Sequence, residues 1–220
     1  SARAGNVIGG GDWAKNRIVP DCVRSWSKNE IVELRNPHST RPWQHVLEPL
    51  GGYLQLGALL SQNHHLHGEA FNFGPQAQQN HSVLELVTQM SRSWSEVRWV
   101  ECESQSPQFY ESGLLKLNCD KALHFLNWHA VLDFEETVAL TAEWYRSFYD
   151  EPRSIQYITD MQINDYAKKL SFLTEGDFEL LESTLENIVI THLSTFDVDE
   201  GKVMHGIKKN EMGYVGFGEV

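Results

Sequence analysis

The 220-residue sequence has little that would place it in or across a membrane. No stretch approaches the roughly 18 consecutive apolar residues that a spanning helix needs. The first six residues, Ser1 to Asn6, lack the apolar core of a signal peptide. Cysteine is also scarce, and the three that occur, Cys22, Cys102 and Cys119, cannot all pair internally. A disulfide framework or a cysteine-zinc site is therefore not expected, and reduced thiols in the cytoplasm fit better.

Basic residues are also fewer than acidic ones. Lys and Arg number 18 against 30 Asp and Glu, which gives a net charge of −12. Nucleic-acid binding needs a dense basic face, and the sequence has none, so we expect no nucleic-acid partner. Residues 1–50 are an exception, with seven basic side chains against five acidic ones. Such arginines indicate either a small anionic ligand, because the planar guanidinium pairs well with phosphate, or ordinary surface salt bridges.

Ten histidines raise the question of a metal site, most of all at His64-His65-Leu66-His67. Polar residues flank this run, and no carboxylate lies at ligand spacing. The pattern is more typical of a solvated loop between a helix and a strand. We therefore predict no metal site.

Short strands and helices alternate through the first 150 residues, which is typical of an α/β fold. Ser82 followed by Glu85 forms a capping-box pattern at the start of one helix. The connections are long and irregular, so we expect the C-terminal part of a Rossmann-like doubly wound domain with a smaller α/β substrate-binding lobe. The predicted helices cover 18–27, 49–61, 82–94, 118–126 and 134–149; the predicted strands cover 3–8, 31–34, 43–47, 69–73 and 97–101.

The pattern changes after Asp150. Residues 1–150 are predicted to be one unit, residues 151–171 a helical linker, and residues 172–220 the start of an incomplete, β-rich unit. Strands are predicted there over 178–181, 188–193 and 203–207. Because the sequence opens without Met and stops inside an expected strand, both ends are interpreted as possible cuts.

One glycine-rich segment imitates a dinucleotide fingerprint. Residues 9–14, GGGDWA, match G-x-G-x-x-A after a strand and before a helix. A true fingerprint packs its helix onto the sheet at once, yet Lys15, Arg17 and Pro20 follow here. No second strand ends in an acidic residue about 20 positions further on. We therefore predict that this loop does not hold a dinucleotide.

Six segments carry a more specific signal: 2–13 (ARAGNVIGGGDW), 17–21 (RIVPD), 34–37 (LRNP), 41–50 (RPWQHVLEPL), 71–75 (FNFGP) and 114–122. In this order they resemble the C-terminal half of the CDP-glucose 4,6-dehydratases, nucleotide-sugar enzymes of the extended short-chain dehydrogenase/reductase (NAD-dependent epimerase/dehydratase) family. The resemblance covers about residues 1–150 and weakens towards residue 170.

The resemblance implies an NAD-dependent reaction. Such enzymes oxidise C4 of the sugar, eliminate water across C5 and C6, and return the hydride to C6, which converts CDP-glucose into CDP-4-dehydro-6-deoxyglucose. The family's glycine fingerprint, its acid-base pair and its Tyr-x-x-x-Lys motif lie upstream of the matching half, and the sequence contains none of them. The chain thus resembles a substrate-binding half to which no catalytic residue is assigned.

The resemblance also implies roles for particular residues. Ala4 and Gly5 are expected to approach the nicotinamide of NAD. Apart from the resemblance, Arg24 is expected on the outer helix, with little influence on binding. Tyr110 stands where the family usually has His. The expected substrate-binding residues are Asn6, Arg17, Ile18, Val19, Arg35, Arg41, His45 and Glu111, with a purely structural role as the alternative for His45.

The sequence leaves three functions open. The first is a nucleotide-sugar 4,6-dehydratase of polysaccharide biosynthesis, present as a fragment of a parent that is expected to be a cytoplasmic homodimer. The second is a non-catalytic module that binds a nucleotide-diphosphate sugar. The third is a sugar epimerase or isomerase led by the C-terminal unit, because residues 201–220 resemble the opening of cupin-type domains. The residues alone identify neither the base nor the sugar.

Overall fold

The computed structural model describes residues 1–62, 64–94, 97–101 and 116–173, and two strands at 195–198 and 201–204. These residues contain six α-helices, two short 3₁₀ helices (His64–Leu66 and Pro152–Ser154) and ten short strands. The helices are α1 (Ile18–Trp26), α2 (Leu47–Leu60), α3 (Val83–Ser91), α4 (Asp120–Leu126), α5 (Phe134–Asp150) and α6 (Ile155–Leu173). The strands are β1 (Ala2–Ala4), β2 (Asn6–Ile8), β3 (Val32–Leu34), β4 (Thr40–Arg41), β5 (Trp43–His45), β6 (Phe71–Phe73), β7 (His81–Ser82), β8 (Trp99–Glu101), β9 (Thr195–Val198) and β10 (Gly201–Met204).

The strands pair two by two, and three of the pairs are parallel. In these, β1 pairs with β6, β2 with β5, and β3 with β8. Helices lie between the paired strands along the chain, as parallel pairing requires. The predicted α/β class is therefore confirmed. Two antiparallel pairs, β4 with β7 and β9 with β10, complete the set.

The first predicted strand, over residues 3–8, is in fact two strands. Gly5 separates them, and a Cβ atom there would lie 3.1 Å from Leu117 Cδ1 and 3.2 Å from Pro42 Cγ. The chain therefore passes closely under these two side chains and changes partner, from β6 before Gly5 to β5 after it.

Two apolar clusters form the core of the described part of the chain. The larger joins α1, α3 and α5 through Val23, Met90 and Val138, each almost fully buried. The smaller surrounds Phe73 and Trp128. Full burial of an apolar side chain of this size contributes about 1.5–3 kcal/mol, so these clusters fix how the helices lie on the strands. The predicted Ser82–Glu85 capping box begins α3, and both of its hydrogen bonds are formed.

Residues 151–171, predicted as a helical linker, include most of α6. This helix packs on the preceding residues: Gln162, which is 4% exposed, donates to the carbonyl of Leu140 at 2.9 Å. Tyr166 is also buried and donates to Glu48 of α2. The boundaries at 150 and 171 remain predictions. Strands β9 and β10 form a hairpin in the predicted β-rich unit, and the strands predicted over 178–181 and 188–193 lie outside the described residues.

Among the helices that the structure describes, none combines the length and apolar character needed to cross a membrane.

Candidate functional site

Strands β2, β4 and β5 bring three of the predicted site residues onto neighbouring backbone. Asn6 lies opposite Trp43 in the β2–β5 pair, and His45 lies opposite Ile8. Arg41 ends β4, two residues before Trp43. The indole of Trp43 donates to the carbonyl of His81 at 3.0 Å and so ties β5 to β7.

Arg41 is a buried cation. Only 7% of the residue is exposed, and its Nη1 donates to the carbonyl of Thr40 at 2.8 Å. A guanidinium keeps its charge inside a protein and has five N–H groups to donate. Hydrogen bonds from a charged donor in a partly desolvated place are stronger than those at the surface. Arg41 is therefore well suited to bind an anionic oxygen.

Sequence reasoning missed Asn80, which contacts Thr40, the residue before Arg41. Its Nδ2 donates to Thr40 Oγ1 at 3.1 Å, while its Oδ1 is buried without a hydrogen-bond partner among the described residues. A buried, unpaired amide oxygen is costly, so it is a ready acceptor for a hydroxyl or amino group of a ligand. Sequence patterns do not reveal this contact, because β4 and β7 pair over only two residues each, which is too short to show a periodicity.

His45 is enclosed at the end of β5, with 2% of the residue exposed. Its Nδ1 accepts from the backbone N–H of Leu47 at 3.4 Å, which places the ring hydrogen on Nε2. Nε2 is buried with no partner in the described residues, beside Gly9. Burial lowers the pKa of His45 to about 4, so the ring is neutral at neutral pH. The position favours orientation of the strand end over direct contact with a ligand.

Side chains of the chain itself fill the space beside the glycines at positions 9–11. A Cβ on Gly10 would lie 2.0 Å from Trp144 Cδ2, and one on Gly9 would lie 2.7 Å from Val46 Cγ1. Gly11 has φ +79°, a backbone conformation that favours glycine. These glycines form a socket for Trp144, and α1 begins only at Ile18. The segment GGGDWA therefore does not fit a dinucleotide in this structure. That the loop binds none stays a prediction.

The two residues expected near the nicotinamide are also closely packed. Gly5 lies under Pro42 and Leu117, and Ala4 is paired with Phe73 in the β1–β6 ladder. The assignment of Ala4 and Gly5 to cofactor binding stays a prediction.

Arg17 stands at the mouth of α1. Its Nη1 contacts Asp12 Oδ2 at 3.0 Å, and its side chain is 65% exposed. Val19 is 2% exposed and Ile18 packs partly against the larger cluster, so both side chains belong to the core. Their backbone N–H groups remain free of intrahelical partners by the geometry of a helix start, and Arg17 provides no side-chain cap. Any contact of Ile18 and Val19 with an anion is therefore a main-chain contact.

Arg24 is half-buried and contacts the loop before its helix. Its Nη1 donates to the carbonyl of Trp13 at 2.6 Å, its Nη2 donates to the carbonyl of Ala14 at 3.3 Å, and it pairs with Asp21. Arg24 therefore holds the loop before α1 in place.

One predicted residue, Arg35, is not brought to this group. Arg35 is exposed and follows β3, which pairs with β8 and not with β2 or β5. Glu111 lies outside the described residues.

Comparison with known proteins gives one curated relative and a set of solved folds. No family model matches the chain. Over 167 residues the chain is 39% identical to the CDP-glucose 4,6-dehydratase of Salmonella typhimurium, which confirms the resemblance predicted from sequence. The match covers 76% of this chain and 46% of that enzyme, so the chain spans less than half the length of the relative.

The solved structures confirm the Rossmann-like expectation for the fold. An epimerase from Methanothermobacter thermautotrophicus has a TM-score of 0.57 at 20% identity, over 70% of this chain and 44% of that one. The UDP-glucose-4-epimerase of Stenotrophomonas maltophila, solved with bound NAD, has a TM-score of 0.55 at 18% identity, over 67% and 47%. The dTDP-glucose 4,6-dehydratase of Bacillus anthracis, in complex with NAD, has a TM-score of 0.51 at 18% identity, over 69% and 44%.

Proposed function

We propose that this chain is the nucleotide-sugar-binding part of an enzyme of the CDP-glucose 4,6-dehydratase type. The observation that supports this most is the 39% identity over 167 residues to an enzyme of that name. The substrate in that name is a nucleotide-diphosphate sugar, which presents anionic oxygens and hydroxyl groups. The intact enzyme is a lyase on this proposal, with a cytoplasmic location and a homodimeric assembly proposed alongside.

The buried side of the site suits these groups. Arg41 offers a desolvated guanidinium to the diphosphate, and the orphaned Asn80 Oδ1 offers an acceptor to a ligand hydroxyl or amino group. Asn6, one strand away, is assigned to the sugar or a phosphate oxygen. His45 supports the end of β5 from inside the fold.

The exposed side comes from the start of α1. Arg17 and the backbone N–H groups of Ile18 and Val19 face the same end of the helix, where the helix dipole favours negative charge. Arg35 is proposed as a second, peripheral phosphate ligand. Glu111 is proposed to bind a ribose hydroxyl on the resemblance alone.

NAD is the proposed cofactor of the intact enzyme, where it accepts the hydride and later returns it. Two proteins of similar fold were solved with NAD. The glycine segment of this chain is filled by Trp144 and Val46, so it does not fit that cofactor. We therefore place the dinucleotide's phosphate cradle outside the described residues, and the site described above belongs to the sugar nucleotide.

Calorimetric titration of the chain with CDP-glucose tests the proposal. We expect saturable binding, and we expect Arg41→Ala to weaken it by about 10–150-fold, the loss of one charged hydrogen-bonding group. Arg41→Lys should also bind more weakly, because an ammonium cannot donate two parallel bonds. Arg146→Ala is the matched control, since this arginine is exposed on α5 and paired with Asp150.

Equal losses for Arg41→Ala and Arg146→Ala contradict the diphosphate assignment. Thermal melts of each variant separate a loss of ligand contact from a loss of folded protein. A parallel titration with UDP-glucose asks whether the chain distinguishes the base.

The second candidate is a nucleotide-sugar-binding module without catalysis. The supporting observation is that the sequence has no Tyr-x-x-x-Lys segment at all. If the chain binds CDP-glucose and releases no dehydrated sugar when NAD is added, this candidate describes the chain as it stands. Turnover by the chain alone excludes it.

A further inference from the structure

The loop that carries Arg17 is fastened to α5 by one tyrosine. Tyr145 is completely buried, and its hydroxyl makes two hydrogen bonds to the backbone of Asp12. Tyr145 Oη accepts from the N–H of Asp12 at 3.0 Å and donates to its carbonyl at 2.7 Å. One phenol thus fixes both peptide groups of a loop residue that is distant in sequence.

The carboxylate of Asp12, whose backbone Tyr145 holds, in turn contacts Arg17. Its Oδ1 accepts from the backbone N–H of Ala14 at 3.0 Å, which sets the direction of the carboxylate. Its Oδ2 accepts from Arg17 Nη1 at 3.0 Å. The guanidinium has five N–H groups, so the other donors remain available at the exposed end of the side chain. An exposed ion pair adds little stability, and its main consequence is therefore the orientation of Arg17.

The aromatic packing around Trp13 does not require the hydroxyl of Tyr145. The ring of Trp13 lies 5.4 Å from the ring of Tyr145 and 4.8 Å from that of Phe148, edge or tilted in each case. Phe148 makes its contact without a hydroxyl, so an aromatic ring suffices for the packing. The hydroxyl of Tyr145 serves the backbone of Asp12 instead.

We propose that Tyr145, acting through Asp12, is a positioning residue that holds Arg17 ready for the anionic part of the sugar nucleotide. This inference rests on the proposed function, because it needs Arg17 to meet a diphosphate. An arginine whose rotamer is already fixed loses less side-chain freedom when the ligand binds, so the same contact gives a higher affinity.

A double-mutant cycle tests the coupling, with CDP-glucose titrated calorimetrically into the full chain. We expect Arg17→Ala to weaken binding about tenfold and Tyr145→Phe about three- to fivefold. In the Arg17→Ala background, Tyr145→Phe should have no further effect. In the Arg35→Ala background, Tyr145→Phe should weaken binding by its full factor, because Arg35 follows β3 and makes no hydrogen bond or ion pair with Tyr145, Asp12 or Arg17 in the described part of the chain.

Two further variants separate an effect on binding from a general loss of folded protein. Asp12→Asn should show the same dependence on Arg17 as Tyr145→Phe. Tyr149→Phe is the matched control: it removes a hydroxyl one turn along α5, from a ring that also contacts Trp13, and should leave affinity unchanged. If Tyr145→Phe only loosens the fold, it lowers affinity with Arg17 present and with Arg17→Ala alike. If it acts by positioning Arg17, it has no effect in the Arg17→Ala variant.

The outcomes separate the two levels of the proposal. If the unaltered chain does not bind CDP-glucose, the proposed function fails, and the positioning role fails with it. If Arg17→Ala weakens binding and the effects of Tyr145→Phe and Arg17→Ala simply multiply, the proposed function stands and the positioning role is wrong. If Arg17→Ala changes nothing, Arg17 meets no ligand and the positioning role is wrong for that reason.

Discussion

The buried histidine at the end of β5 gives the chain an acid-sensitive stability that can be calculated. His45 has an ordinary pKa of 6.5 when the chain is unfolded and about 4 when burial excludes water from the folded ring. Above the unfolded value both states are neutral, and His45 adds no pH dependence. Between the two values the unfolded state binds a proton that the folded state does not. The free energy of unfolding therefore falls by about 1.4 kcal/mol per pH unit, or about 3 kcal/mol in all.

Glu48 acts in the opposite direction, because burial raises its pKa and the folded state then takes up a proton first as the pH falls. The contribution of His45 is therefore obtained from the difference in the free energy of unfolding between the unaltered chain and His45→Gln. We expect this difference in the free energy of unfolding, measured by urea titration and tryptophan fluorescence, to be constant above about pH 7 and to shrink by about 3 kcal/mol towards pH 4. A difference that stays level through this range, or grows towards acid pH, refutes an enclosed, neutral His45.

The remaining predictions concern packing and the cofactor. Gly10→Ala should lower the free energy of unfolding by about 1–3 kcal/mol, because its Cβ would meet the ring of Trp144; Gly57→Ala, which meets nothing within 4 Å in α2, should instead raise it by up to about 1 kcal/mol. Equal effects in the two melts contradict the Trp144 socket. Tyr166→Phe should cost about 1.5–3 kcal/mol, since it removes a donor from buried Glu48; a neutral result in urea unfolding means that water replaces the hydroxyl. Equilibrium dialysis should find no NAD bound to the chain, and saturable NAD binding reinstates the glycine segment as a dinucleotide loop.

Local signals allowed most of the secondary structure to be predicted. The Ser82–Glu85 pattern located the start of α3 correctly, because both partners of a capping box lie within one helical turn. Helices α1 and α5 also lie within a few residues of their predicted bounds. Errors arose where tertiary contacts decide, as at Gly5, where Pro42 and Leu117 interrupt a strand that looks continuous in sequence.

The candidate site was less accessible to sequence reasoning. Arg41 and His45 were proposed from their match to a family motif, and that role stays a prediction; their burial was not foreseen from the sequence. Asn80 was missed because its hydrogen-bond partner Thr40 is 40 residues earlier in the chain. The sequence context predicts no dinucleotide at Gly9–Gly11, and nothing local indicated that Trp144 fills the space there.

Glu48 shows why the predicted linker matters to the site. It lies in an almost wholly apolar helix, where a carboxylate is normally read as a surface residue, yet it is fully buried. It accepts from the backbone N–H groups of Val131 at 2.8 Å and Leu132 at 2.7 Å, and from the Tyr166 hydroxyl at 2.9 Å. A buried carboxylate is tolerated only with such donors, so α2 depends on a residue of α6. Because α2 begins directly after His45 and β5, a chain divided at residue 150 would leave Glu48 one donor short at the base of the strands that carry the proposed site.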